Sequence, residues 1–123
     1  MRNRFDKELA SLHDLLIEMG TLSQQAIESA KDALLEQDVE KAARTHEFER
    51  EVDEREKEVE RRCLKLLLQQ QPVASDLRII STALKIITDL ERIADQACDI
   101  AELATYMAGQ KYIKKLVDIP LMA

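Results

Sequence analysis

The chain has 123 residues, a formal net charge of −6 and 46% hydrophobic residues, with only two glycines, two prolines and no tryptophan. So little turn chemistry excludes a many-stranded sandwich, barrel or Rossmann fold, and the abundant Leu, Ala, Glu, Lys, Arg and Gln favour helices. Lys and Arg are interleaved with acids and form no basic stripe along the sequence, which excludes a nucleic-acid partner.

In the first segment, Phe5, Leu9, Leu12, Leu16, Met19, Ser23, Ala26, Ala30 and Ala33 alternate steps of four and three, which is a heptad seam. The N-terminus Met1-Arg2-Asn3-Arg4-Phe5-Asp6 lacks the apolar region of a signal peptide. No apolar run approaches the ~18 residues that span a bilayer. The expectation is a cytoplasmic chain, peripheral to a membrane at most. The periodicity pauses at Gln37-Asp38, where Asp38 can cap the next helix.

The second segment carries Ala42, Thr45, Glu49, Val52, Glu56, Val59, Cys63, Leu66 and Gln70 on its seam. Glu49 and Glu56 thus occupy positions that should be apolar, with Asp53 on the same side. A break follows over Gln69–Asp76, where Pro72 cannot continue a helix and Ser75 or Asp76 offers a cap. The third segment has two apolar rows. One runs through Ile79, Ala83, Ile86, Leu90, Ile93, Ala97, Ile100, Ala104 and Met107, the other through Ile80, Leu84, Ile87, Ala94, Ala101 and Ala108. A helix apolar on two adjacent rows faces two neighbours. Glu91 interrupts the second row, followed by Asp95 and Asp99. Gly109-Gln110-Lys111 marks a third break. Three helices of roughly 30–35 residues joined by short turns predict an all-α, antiparallel up-down-up bundle.

A reversal near residues 71 and 72 pairs positions whose numbers add to about 143, so Glu49 faces Asp95 and Asp53 faces Glu91. Four carboxylates at one level repel, and cations must offset that. One solution is salt bridging, Glu51 to Arg55 and Asp53 to Lys57 at i+4 spacing. The other, favoured by the seam placement, is a metal held by Glu49, Asp53, Glu91 and Asp95, with Glu56 and Asp99 in a second rank. An all-oxygen ligand set suits hard cations such as iron, manganese, magnesium or calcium. His46 lies one turn from Glu49, but its order, His46-x-x-Glu49, does not match the Glu-x-x-His pattern of ferritin-type sites. His13 is remote. The same register sets Cys63 and Cys98 roughly 27 Å apart, too far for a disulfide.

Gln70-Gln71-Pro72-Val73-Ala74-Ser75-Asp76-Leu77-Arg78 and Asp89-Leu90-Glu91-Arg92-Ile93-Ala94-Asp95 resemble motifs of the PhoU family, with Ala94 where that family usually has Gly. The family's acidic motif matches Glu49/Asp53 and Glu91/Asp95. The resemblance implies a non-enzymatic negative regulator of phosphate uptake and phosphate-starvation signalling. It implies an iron or other metal cluster at those motifs. The implied partners are the ATPase subunit of a phosphate ABC transporter and a membrane sensor histidine kinase. It also implies two tandem three-helix bundles, of which residues 1–110 supply one. Residues 111–123 then read as a linker and the start of a truncated second repeat, Asp118 and Pro120 opening its helix. A tail without its packing partner can swap into a neighbouring chain, so a homo-oligomer, a homodimer first, is expected.

Two other functions compete. A metal-free helical scaffold or oligomerisation module would leave the acids solvated or salt-bridged. Catalysis by paired carboxylates lacks a nucleophile and an oxyanion hole. A phosphate ion would have to meet a bridging metal or the helix N-terminus near Ser75 and Arg78.

Overall fold

The computed structural model describes the backbone of residues 2–69 and 72–122 and the side chains of residues 4–68 and 72–110. It contains three helices, α1 (Arg2–Glu36), α2 (Val39–Gln69) and α3 (Ala74–Met122), each packed on the other two. The direction alternates up, down, up. Cys98 of α3 meets the Thr45 carbonyl of α2 at 3.9 Å, in the antiparallel register expected from the turn. Phe5, Leu66 and Ile80 share one end of the core, and Ala33, Ala42 and Ala101 share the other.

The two reversals are built from local chemistry. Gln37 closes α1 with a left-handed φ of 53°, and the Asp38 N–H donates to the Ala33 carbonyl at 3.0 Å. This is a Schellman closure made without glycine. Asp38 at once opens α2, as expected: its Oδ1 accepts from the N–H groups of Glu40 (2.9 Å) and Lys41 (3.3 Å). At the second reversal residues 70 and 71 lie outside the described set. Beyond it, Asp76 rather than Ser75 does the capping. Its carboxylate, on a side chain only 1% exposed, reaches back to the Val73 N–H at 3.2 Å. That is the return arm of a capping box.

The core changes character along the bundle. One end is filled by Phe5, Leu12, Met19, Val59, Leu66, Ile80 and Ile87. The other is lined by Ala26, Ala30, Ala33, Ala42, Ala97, Ala101 and Ala104. Small side chains let helix axes approach toward the short end of the ~8–10 Å range. The α1 seam is inside throughout, with Leu9 and Leu16 at its margin.

On α3 the outcome is divided. Ile80, Ile87, Ala94 and Ala101 are buried, together with Ala83, Ala97 and Ala104 of the other row. Of the remaining members of that row, Leu90 and Ile93 are half-buried, and Ile79, Ile86, Ile100 and Met107 are 49%, 38%, 39% and 39% exposed. Two neighbours cover one broad face of a helix, and this isoleucine row lies on the shoulder beyond α1.

The expected break at Gly109 does not occur, because the α3 backbone stays helical to Met122. One glycine inside a helix costs about 1 kcal/mol relative to alanine, too little to end it where Met107-Ala108 and Gln110-Lys111, all good helix formers, stand on either side. At 49 residues α3 outruns α1 (35) and α2 (31), so its C-terminal part projects past the first reversal. The expected start of a second repeat falls on residues 111–123, whose side chains lie outside the described set. No helix among the described residues is long and apolar enough to cross a membrane.

Candidate metal centre

The acids sit on the α2–α3 side of the bundle because their spacing follows the helical repeat. Glu49, Asp53 and Glu56 are three to four residues apart on α2, and Glu91 and Asp95 are four apart on α3. Each set therefore lines one face. Val52 and Val59, both fully buried, anchor that stretch of α2, and Ile87 and Ala94 anchor the matching stretch of α3. The packing of these apolar neighbours forces the carboxylates to face each other across the seam.

They form two tiers. In the first, carboxylate oxygens of Asp53, Glu56 and Glu91 all lie within 4.8 Å of one another, each on a half-buried side chain. In the second, one turn away, Glu49 and Asp95 come close to each other. Partial burial first, then the close approach of Asp95 and the charge of Asp53, push Glu49 above the usual carboxylate range, while His46 pulls it the other way. Glu91 is raised as well, by burial first and then by Asp95 and Asp53.

Glu49, Asp53, Glu91 and Asp95 thus converge at one level, but the tightest triad adds Glu56 and omits Glu49 and Asp95. The helical repeat places Glu56 one turn from Asp53 but does not rank it. Side-chain reach decided it. Asp99 is exposed and stands outside the triad. Of the two expected salt bridges, Lys57 does pair with Asp53 at 3.2 Å, whereas Arg55 turns to Glu54 (3.7 Å) and not to Glu51. One lysine on the outer edge leaves most of the negative charge unbalanced.

The donor set fits a hard cation. Two oxygens on one ion of this class lie at most about 4–5 Å apart, twice a metal–oxygen distance of ~2.0–2.6 Å, and the triad already meets that spacing. Cys63 and Cys98 are buried free thiols. Burial and the charges of Glu49 and Asp95 push the Cys98 thiol up to about 11, so it stays protonated beside the acids. The N-terminus of α3 is a poor anion site, because the Asp76 carboxylate already occupies it.

A PhoU domain model matches residues 16–104. The chain is 39% identical over 117 residues to the phosphate-specific transport system accessory protein PhoU homolog of Aquifex aeolicus, covering 95% of this chain and 53% of that protein. It is 38% identical to the protein of the same name from Clostridium acetobutylicum, covering 90% of this chain and 51% of that one. The crystal structure of PhoU from Pseudomonas aeruginosa superposes with a TM-score of 0.84 at 32% identity, over 86% of this chain and 51% of that one. The chain spans about half the length of these relatives. Sequence and fold agree, and the chain belongs to the PhoU family.

Proposed function

We propose that this chain is the metal-binding bundle of a non-enzymatic, cytoplasmic negative regulator of phosphate uptake and phosphate-starvation signalling. The regulatory role is supported by relatives named as accessory proteins of a phosphate-specific transport system. The metal role rests on one observation, the carboxylate triad of Asp53, Glu56 and Glu91 with Glu49 and Asp95 one turn away. Asp53, Glu56 and Glu91 would hold the ion, iron first and manganese, magnesium or calcium as alternatives, with Glu49 and Asp95 completing its surroundings. A bound cation supplies positive charge where the acids repel, and so ties α2 to α3. The acids themselves set the geometry, and Glu49 and Glu91, both held above the usual carboxylate range, would give up their protons as the cation enters.

Docking would be on the transporter's ATPase subunit and on a sensor histidine kinase. The unpartnered row of Ile79, Ile86, Ile100 and Met107 supports association, and a homodimer is the simplest form of it. A metal-free scaffold is the second reading, favoured by the Asp53–Lys57 ion pair. The experiment that separates them is elemental analysis of protein purified without chelator, run beside a Glu56→Ala/Glu91→Ala variant. About one or more ions per chain, lost in the variant, supports the centre. No metal in either protein leaves the scaffold. Binding to the ATPase subunit, measured with and without metal, then tests the regulatory role.

A further inference from the structure

Away from the acids, on the α1 side of α2, the first turns of α1 and the last turns of α2 enclose a cleft of about 480 Å³. Small-ligand sites fall in the range of roughly 300–1,000 Å³. Its walls carry five cations, Arg4, Lys7, Arg61, Arg62 and Lys65, against two carboxylates, Glu8 and Glu58. In a chain of net charge −6, this local excess runs against the whole.

The few acids are shared out. Glu58 serves two arginines, one on each oxygen: Arg62 Nε lies 2.9 Å from Oε1, and Arg61 pairs with Oε2. Glu8 takes Arg4 at 3.8 Å. Among the described residues Lys7 and Lys65 have no ion-pair partner, and each arginine keeps donors to spare of its five. Arg62 also donates to the Ser11 hydroxyl, so its guanidinium is held between the two helices and not left to swing in solvent. Behind it the buried side chain of Leu66, 1% exposed, limits the water that could screen these charges. Arg4 to Ser11 spans about 10 Å of helix and Arg61 to Lys65 about 6 Å. A single small anion would neutralise only part of such an array. The short span also rules out a nucleic-acid track.

We propose that this cleft binds a small polyanion, a molecule carrying two or more phosphate or carboxylate groups. Arg62, oriented by Glu58 and Ser11, provides the fixed fork, and Lys7 and Lys65 supply the mobile charges that close on the outer groups.

The test titrates metal-stripped full chain with tripolyphosphate, citrate and orthophosphate by calorimetry at low salt, and follows the arginine Nε–H signals by NMR. Tripolyphosphate or citrate should bind at least about tenfold tighter than orthophosphate and shift the Arg62 signal. The tighter of the two tells whether phosphate or carboxylate is preferred. Affinity should fall about tenfold in Lys7→Gln/Lys65→Gln, where neither lysine has an ion-pair partner among the described residues for the fold to lose, and should be unchanged in Glu91→Gln. Absence of binding at millimolar concentration, equal affinity for all three anions, or undiminished binding by the lysine variant would each overturn the proposal.

Discussion

Two residues of the first reversal carry opposite and separable effects. Gln37 holds a left-handed φ of 53° with a side chain attached, a conformation that glycine adopts without penalty. Gln37→Gly should therefore raise stability by about 0.5–1 kcal/mol, and Asp38→Ala should lower it by about 1 kcal/mol through loss of the α2 cap. Urea unfolding followed by circular dichroism checks both. At the acids the sign depends on metal. Without metal, Glu91→Gln removes one charge from a repelling cluster and should raise stability, read as a higher melting temperature, by no more than about 0.5 kcal/mol after solvent screening. With metal added, the same variant should gain less than the parent. A variant that melts lower than the parent in the absence of metal would show that the acids are stabilising ion-pair partners. Asp38 as a cap and Glu49, Asp53, Glu91 and Asp95 as facing acids were all legible in the sequence. The rank of Glu56 was not, because it depends on how far each carboxylate reaches once α2 and α3 are docked.

Each helix announced its inward face by heptad spacing, and α1 kept every seam residue at or near the core. The two rows on α3 exceeded what the bundle could cover. Spacing shows that a row is apolar but not that a neighbour lies over it, since this depends on where α1 and α2 settle. Adjacent isoleucines thus differ sharply. Ile87, 1% exposed, fills the wide end of the core, and Ile87→Ala should cost about 2–5 kcal/mol. Ile86, 38% exposed, should cost under about 1 kcal/mol when truncated, in the same unfolding assay. If the isoleucine row joins two copies, Ile86→Lys/Ile100→Lys should sediment as a monomer with undiminished helicity, whereas the parent sediments as a dimer. The break assigned to Gly109 shows the converse. A local signal that weakens a helix by about 1 kcal/mol does not end one that is otherwise well supported.

For the molecule as a whole, the acidic cluster sets the pH dependence. Glu49 and Glu91 titrate above the ordinary carboxylate value of 4.5 in the folded chain. Between that value and their raised ones, the native state binds more protons than the unfolded state. Their contribution to stability therefore falls as pH rises through this window and recovers on acidification. Thermal melts of metal-free protein should show this loss on moving from about pH 4.5 toward neutrality, and Glu49→Gln/Glu91→Gln should flatten it. A cation competes with those same protons, so added metal should raise the melting temperature more at pH 7 than near pH 5. The basic cleft lies on another face and should leave this behaviour unchanged. Net charge conceals both regions, because it sums an acidic face and a basic cleft into one modest number.

The sequence by itself determined what depends on short-range periodicity: three long helices, an alternating direction, the register of α2 against α3, and acids at core spacing. A helical repeat and the position of a turn are enough to place residues on faces and at levels. Only the tertiary structure decided which apolar row stays uncovered, which three carboxylates come closest, and that Arg4, Lys7, Arg61, Arg62 and Lys65 share one cleft. Those outcomes depend on the rotation of each helix about its own axis and on contacts between residues more than thirty positions apart, for which no local pattern in the sequence provides a signal.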